Sequence, residues 1–547
     1  MSECGVHSRC AAGKSFSLLT DLEVCPLTRT FSGYASLNKA VKTAHTCQYC
    51  QGLLFDTTNI TLKYNKPTLW IESRIVLEGA LNGCDLFNAH VSWQLVDQAR
   101  QFLREGRDFQ DLGLSDMTIS FEHQDHSPHD IKMAEINFKH GYNTWAVHAE
   151  HGNPAADFVS ARPVKRDLRD PQLIDEATAM KKLPFQPKRL IDVGDAGSPT
   201  VRLVPGLITS SSLTPDMLYV ALSYCWGTGV HEHTTTTSNL AERLIGLDLS
   251  KMPQTLQDAV ETTRKIGFQR LWVDSLCIVQ DDENDKAAQI GDMHKIYASA
   301  ALTISAAKSS SSDEGFLTPC WPPSQSFRLR YKTPTQDHGS VVLARYHRRG
   351  GEPIHNRAWT LQEHLLSARL LVFGTHGLRW SCRTAKHYNG AQHAPDYSYN
   401  MAEQTYRAGK IPMASELASA GASWGHRSGA SWQQLVEEFC RRSLTYPEDR
   451  LPALSAIAAK YSEMGAGRYL AGLWESSIHS DLLWSVLPSE GRNPRYSRDN
   501  CSGFPTWSWA SMGGSAAWNG AVYTEPPGSK TPSGDKLTIH SSSWRPM

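Results

Sequence analysis

Hydrophobic positions change their period several times along the chain, and the changes mark its elements. Leu218-Tyr219-Val220-Ala221-Leu222 is a continuous apolar run that stops at Ser223-Tyr224-Cys225-Trp226-Gly227. A second run, Leu271-Trp272-Val273-Asp274-Ser275-Leu276-Cys277-Ile278, and a third, Ala301-Leu302-Thr303-Ile304, follow after stretches of helical pattern. In the first of those stretches Leu256, Ala259, Val260, Thr263 and Ile266 form one stripe, opened by Pro253 and Thr255 and closed by Gly267. In the second, Ile290, Met293 and Tyr297 mark the apolar side, and the acidic run 281–285 suits the dipole at the first turn. Strand, helix, strand, helix, strand predicts an α/β core with a parallel sheet covered on both faces. Ligands meet such sheets at the carboxyl ends of the strands, and there lie Trp226, Asp274 and Cys277.

Before this core, from about 68 to 205, the pattern breaks into short pieces. Leu69-Trp70-Ile71, Ile75-Val76-Leu77, Phe158-Val159-Ser160 and Val201-Arg202-Leu203-Val204 read as strand material, and Val91 to Leu95 fits either class. After the core, residues 384–430 are rich in Gly, Ala, Ser and His with little period, and helical spacing returns at Trp432, Leu435, Val436 and Phe439. The expected division is a cysteine-containing leader (1–60), a small mixed or β-rich lobe (61–204), the α/β domain (205–380), a linker or surface excursion (381–430), and a mostly helical, tryptophan-rich lobe (431–547).

Composition narrows the partners. The 547 residues carry 55 Lys+Arg against 55 Asp+Glu, so nothing in the overall balance calls for nucleic acid. The start of the chain has no apolar stretch of secretory length and no run of membrane-spanning length occurs later, which predicts a cytoplasmic protein with no membrane span. Twelve cysteines spread over this length are no disulfide framework. His45-x-Cys47-x-x-Cys50 has the spacing of half a zinc site, but the other half is irregular, with only Cys25 or Cys10 to close it. We read these cysteines as reduced and assign no metal site. The cluster His123, His126 and His129 is broken by Pro128 and reads as a polar loop.

Chemistry concentrates in the core. Asp274 interrupts an apolar strand, where an unpaired carboxylate is expensive to bury, so it is either held by backbone amides or used on a ligand. Cys277 is either an inert buried thiol or a nucleophile served by His294 or His364. In Asn356-Arg357-Ala358-Trp359-Thr360-Leu361-Gln362-Glu363, Trp359 and Glu363 share a helical side. Trp226 and Trp359 offer flat surfaces for a planar ligand or seals against the helices, and Arg357 offers a phosphate partner. No glycine-rich phosphate fingerprint follows a core strand, so nucleotide binding cannot rest on glycine chemistry.

Three blocks resemble those of the fungal heterokaryon-incompatibility family: Ala221 to Gly227, Leu271 to Gln280 continuing to Tyr297, and Asn356 to Glu363. Asp449-Arg450-Leu451, Gly472-Leu473-Trp474 and Pro505 to Ser511 resemble segments that accompany it. The resemblance implies non-self recognition or cell death, TIR-like or Rossmann-like layering, and a distant link to TIR domains, some of which cleave NAD with a glutamate. On that reading Glu363, Asp274 and Cys277 are the candidate catalytic residues, and Trp226, Arg357 and Trp359 hold the nucleotide. NAD would be a substrate. The alternatives are a signalling or interaction module, working through a protein partner or self-assembly, and a cysteine-dependent enzyme acting on a small metabolite.

Overall fold

The computed structural model describes residues 47–57, 61–63, 66–123, 131–138, 141–149, 153–159, 185–206, 218–228, 233–318, 325–345, 352–375, 377–382, 386–390, 432–486, 503–514 and 516–518. Cys10, Cys25, the loop around His126 and most of 384–430 lie outside them.

The amino-terminal lobe is mixed. Strands β1 (Leu54–Asp56), β2 (Thr61–Lys63) and β3 (Lys66–Ile71) precede helices α1 (Ser73–Leu81) and α2 (Trp93–Arg104), and β4 (Met117–His123), β5 (Ile131–Phe138) and β6 (Gly141–His148) form an antiparallel meander. Two local readings change here. Ile75-Val76-Leu77 is helical rather than strand-like, because Val76, Leu77 and Ala80 bury one face of α1. Phe158 ends a short 3-10 helix, Pro154–Phe158, and only Val159 bridges to Ile131. The ambiguous stretch from Val91 resolves as α2, where the Ser92 hydroxyl caps the helix by accepting from the Leu95 amide at 3.3 Å.

The central unit contains β7 (Arg189–Asp192), β8 (Thr200–Pro205), β9 (Val220–Ser223), β10 (Leu247–Asp248), α3 (Gln254–Lys265), β11 (Arg270–Trp272), the single turn α4 (Asp274–Cys277), α5 (Glu283–Ser299) and β12 (Leu302–Ser305). The chain then makes a hairpin, β13 (Gln325–Lys332) and β14 (His338–Arg345), whose strands pair with β1 and β6 of the amino-terminal sheet. It returns through α6 (Trp359–Leu366), β15 (Arg369–Gly374), β16 (Gly377–Cys382) and β17 (Lys386–Gly390).

The central sheet has nine strands in the order β10-β8-β7-β11-β9-β12-β15-β16-β17. The expected all-parallel sheet is corrected here. Only β11, β9, β12 and β15 are mutually parallel, and the flanking strands pair antiparallel, so the sheet is mixed and mostly antiparallel. The reason is connection length. The β9-to-β11 and β11-to-β12 crossovers contain α3 and α5, whereas β7 to β8 and β15 to β16 are joined by short turns that permit only antiparallel pairing.

The carboxyl-terminal region is helical and tryptophan-rich: α7 (Trp432–Cys440) and α8 (Pro452–Tyr461) bury Leu435, Val436, Phe439, Leu454 and Ile457 with Trp432, Trp474 and Trp509. Trp432 meets Trp474 edge to face, with centroids 5.5 Å apart. Helix α6 packs against both α5 and α8, so the closing block of the core lies between the central unit and this region. Among the described residues no helix is long and apolar enough to cross a membrane.

Candidate functional site

Strand β9 ends at Ser223 and β11 at Trp272, and the segments leaving them carry the site. After β11 the chain forms α4 with Asp274 as its first residue, where the Ser275 amide donates to Asp274 Oδ1 at 2.7 Å. After β9 the chain turns at Trp226-Gly227, and the Trp226 indole N–H donates to Asp274 Oδ2 at 2.9 Å and Oδ1 at 3.1 Å. Gly227 has φ 95°, and a Cβ there would meet Ser311 Cβ at 2.8 Å, so the turn admits glycine and little else. The Ser312 amide donates to the Trp226 carbonyl at 3.2 Å and fixes the turn from the serine-rich loop. Asp274 and Trp226 remain part-exposed.

Arg357 lies in the segment leading to α6 and donates to the Tyr224 carbonyl. Tyr224 in turn donates to Ser275 Oγ at 2.8 Å, which joins the two strand ends. Burial opposes the Arg357 charge, but Glu363 and Asp274 outweigh it and push its pKa up. Both carboxylates thus act on the guanidinium electrostatically.

Glu363, 3% exposed, projects from the second turn of α6. Burial raises its pKa to about 7, Asp274 adds to the rise, and Arg357 with the Ser223 and Tyr297 hydroxyls pulls the other way. Tyr297 donates to the Leu222 carbonyl at 2.9 Å. Asp274 is also raised, by burial first, against Arg357, the Ser275 amide, Trp226 and Tyr224.

The site residues expected from sequence therefore divide. Asp274, Glu363, Arg357 and Trp226 come together. Trp359 packs between the central and carboxyl-terminal cores, and its indole N–H donates to Asp449 Oδ2 at 3.2 Å. Cys277 is fully buried in the central core; burial pushes its thiol up to about 12, and its sulfur accepts from the Val273 amide at 3.5 Å. His364, one of its suggested bases, lies with Nε2 3.3 Å from Ser223 Oγ.

Sequence reading missed several supporting residues. Asp285, placed in a solvated capping run, is 4% exposed and accepts from Lys188 Nζ at 2.7 Å, from the Val279 amide at 2.9 Å and from Arg189. Arg189 also donates to the Cys277 carbonyl at 2.8 Å, which locks the segment after Asp274. The residue that does cap α5 is Asp282. Asp258 holds the Gly315-Phe316-Leu317 turn, accepting from the Phe316 and Leu317 amides at 2.6 and 2.9 Å. None of these carries a motif signal, because each carboxylate meets donors far away in the chain.

Residues 219–363, which contain all four gathered side chains, match the family model described as heterokaryon incompatibility protein (HET). The chain carries a HET domain. Part of the chain is also similar to heterokaryon incompatibility protein 6, OR allele, of Neurospora crassa, 30% identical over 122 residues. That stretch covers 21% of this chain and 18% of the relative, so the two share only a part of their lengths. No solved structure matches the chain. The first and last matched blocks, Ala221 to Gly227 and Asn356 to Glu363, meet at the carboxyl ends of the parallel strands.

Proposed function

We propose that this protein is a fungal non-self-recognition or cell-death effector whose HET domain hydrolyses the nicotinamide–ribose bond of NAD or a related nucleotide. The observation that carries the reading is that Asp274, bonded to the Trp226 indole, and Arg357, bonded to the Tyr224 carbonyl, meet at the carboxyl ends of β9 and β11, with Glu363 adding its charge to theirs. Breaking the bond develops positive charge on the ribose, and a carboxylate facing it stabilises that state. Asp274 is the less buried of the two acidic residues, and the Trp226 indole that orients it is also a flat surface for the base. Arg357 would recognise a phosphate. Glu363, behind them, adds to the negative field that holds Arg357 charged. The four central parallel strands support a TIR-like or Rossmann-like layering of the active half of the sheet, and the relative's printed name supports the incompatibility role.

A second reading, a HET domain that signals by contact, is favoured by the way the carboxyl-terminal region holds the closing block. The Ala358 amide donates to the Ser443 carbonyl at 3.0 Å and the Ser443 amide to the Asn356 carbonyl at 2.6 Å. Arg442 donates to the Arg357 carbonyl at 3.3 Å and to Thr360 Oγ1 at 3.1 Å. Displacing this clamp would free Arg357 and α6 together.

The two readings separate when full-length protein is incubated with NAD and free nicotinamide is followed by chromatography. The enzymatic reading expects release that falls by roughly 10²-fold or more in Asp274→Asn. Release that survives the substitution removes Asp274 from the reaction. No release by wild type, dilute or concentrated, leaves the contact-signalling reading.

A further inference from the structure

Cys47, Cys50 and Cys84 converge in the amino-terminal lobe, away from the HET domain in sequence, with their sulfurs all within 4.8 Å of one another. Cys47 precedes the one-turn helix Gln48–Gln51; its sulfur lies 3.6 Å from that of Cys50, and its backbone N–H donates to Cys50 Sγ at 3.1 Å. Cys84 arrives from a separate turn. Gly83, at φ 80°, swings the chain off the end of α1, and the Cys84 amide donates to the Gly79 carbonyl at 2.8 Å. Gly79 leaves room for the Phe87 ring, which a Cβ would strike at 2.3 Å, and so α1 and the turn carrying Cys84 close tightly. Cys50 and Cys84 are 1% and 0% exposed, while Cys47 keeps an open edge.

The spacing fits a metal better than it fits bonded or merely packed thiols. A zinc ion with Zn–S of ~2.3 Å and tetrahedral angles sets its sulfurs ~3.8 Å apart. The Cys47 amide aimed at Cys50 Sγ is a donor that a metal-bound thiolate would accept. A disulfide would join two of the three and leave one thiol over. Thiolate donors also select a soft ion such as zinc over magnesium or calcium.

We propose that Cys47, Cys50 and Cys84 bind a structural zinc ion, with the fourth coordination position on the open Cys47 side. The ion would staple the segment leading into β1 onto α1, and β1 is the edge strand that pairs in parallel with β13. The chain returning from the central unit would therefore be anchored through the metal.

The test is metal analysis of full-length protein purified without chelator, followed by cobalt substitution. About one zinc per chain is expected, with a thiolate-to-cobalt charge-transfer band after exchange. Cys47→Ser and Cys84→Ser should each lose most of the metal, and chelator should lower the Tm of wild type but not of Cys47→Ser. Should the serine variants fail to fold, the wild-type cobalt spectrum still reports thiolate ligation. Folded wild type that takes up neither zinc nor cobalt overturns the proposal. So does a Cys47–Cys50 disulfide found by peptide mass, or zinc retained in full by a folded Cys84→Ser.

Discussion

Glu363 has exchanged water for two hydroxyls, a guanidinium and a second carboxylate, and its proton affinity rises as a result. Its pKa is about 7 in the folded chain against 4.5 for the free side chain. Folding therefore takes up protons between those values, and stability falls as pH rises through the window. Denaturant melts of wild type from pH 5 to 8 should show that fall, and Glu363→Gln should flatten it by on the order of 2 kcal/mol. An unchanged pH slope in the variant would mean that Glu363 does not titrate there. Cys277 gives the opposite expectation for a core residue. Its thiol, buried and raised to about 12, should resist iodoacetamide in the folded protein and react once the protein is unfolded, read by peptide mass.

At the scale of elements, the turn after β9 and the segment after β11 are shaped by single residues whose replacement has a calculable direction. Gly227→Ala combines a positive φ with a contact against Ser311, and should destabilise by about 1–3 kcal/mol while loosening Trp226 from Asp274, visible as a change in tryptophan emission. Asp285→Ala strands Arg189 in the core and should destabilise by about 3–5 kcal/mol in the same melts. Wild-type stability in either variant would contradict the geometry.

Three of the four parallel strands and the two helices between them were legible because continuous apolar runs and helical stripes alternate. Asp274 was legible because it breaks such a run. The flanking antiparallel strands were not, since periodicity identifies a strand but not its partner, and β13 and β14 pair with strands some two hundred residues earlier or more. Asp285 was hidden for a related reason: a run of acids looks solvated until Arg189 folds over it. Cys84 was likewise separated from Cys47 and Cys50 by all of β2, β3 and α1.

On the scale of the whole molecule, the HET domain is enclosed from two sides. The amino-terminal sheet borrows β13 and β14 from within the matched region, and the carboxyl-terminal helices grip Asn356, Ala358, Trp359 and Thr360, the residues that deliver Arg357 and Glu363. Arg442 is central to that grip, since it also pairs with Glu438 at 3.2 Å in the interior. Weakening it should release the closing block without touching the carboxylates. The most direct measurement is the rate of nicotinamide release from NAD by full-length wild type, Arg442→Met and the double variant Arg442→Met/Asp274→Asn, side by side. Expected are release by wild type, faster release by Arg442→Met, and loss of at least about 10²-fold when Asp274→Asn is added. Equal release by the single and double variants, or none from any of the three, would contradict the enzymatic reading.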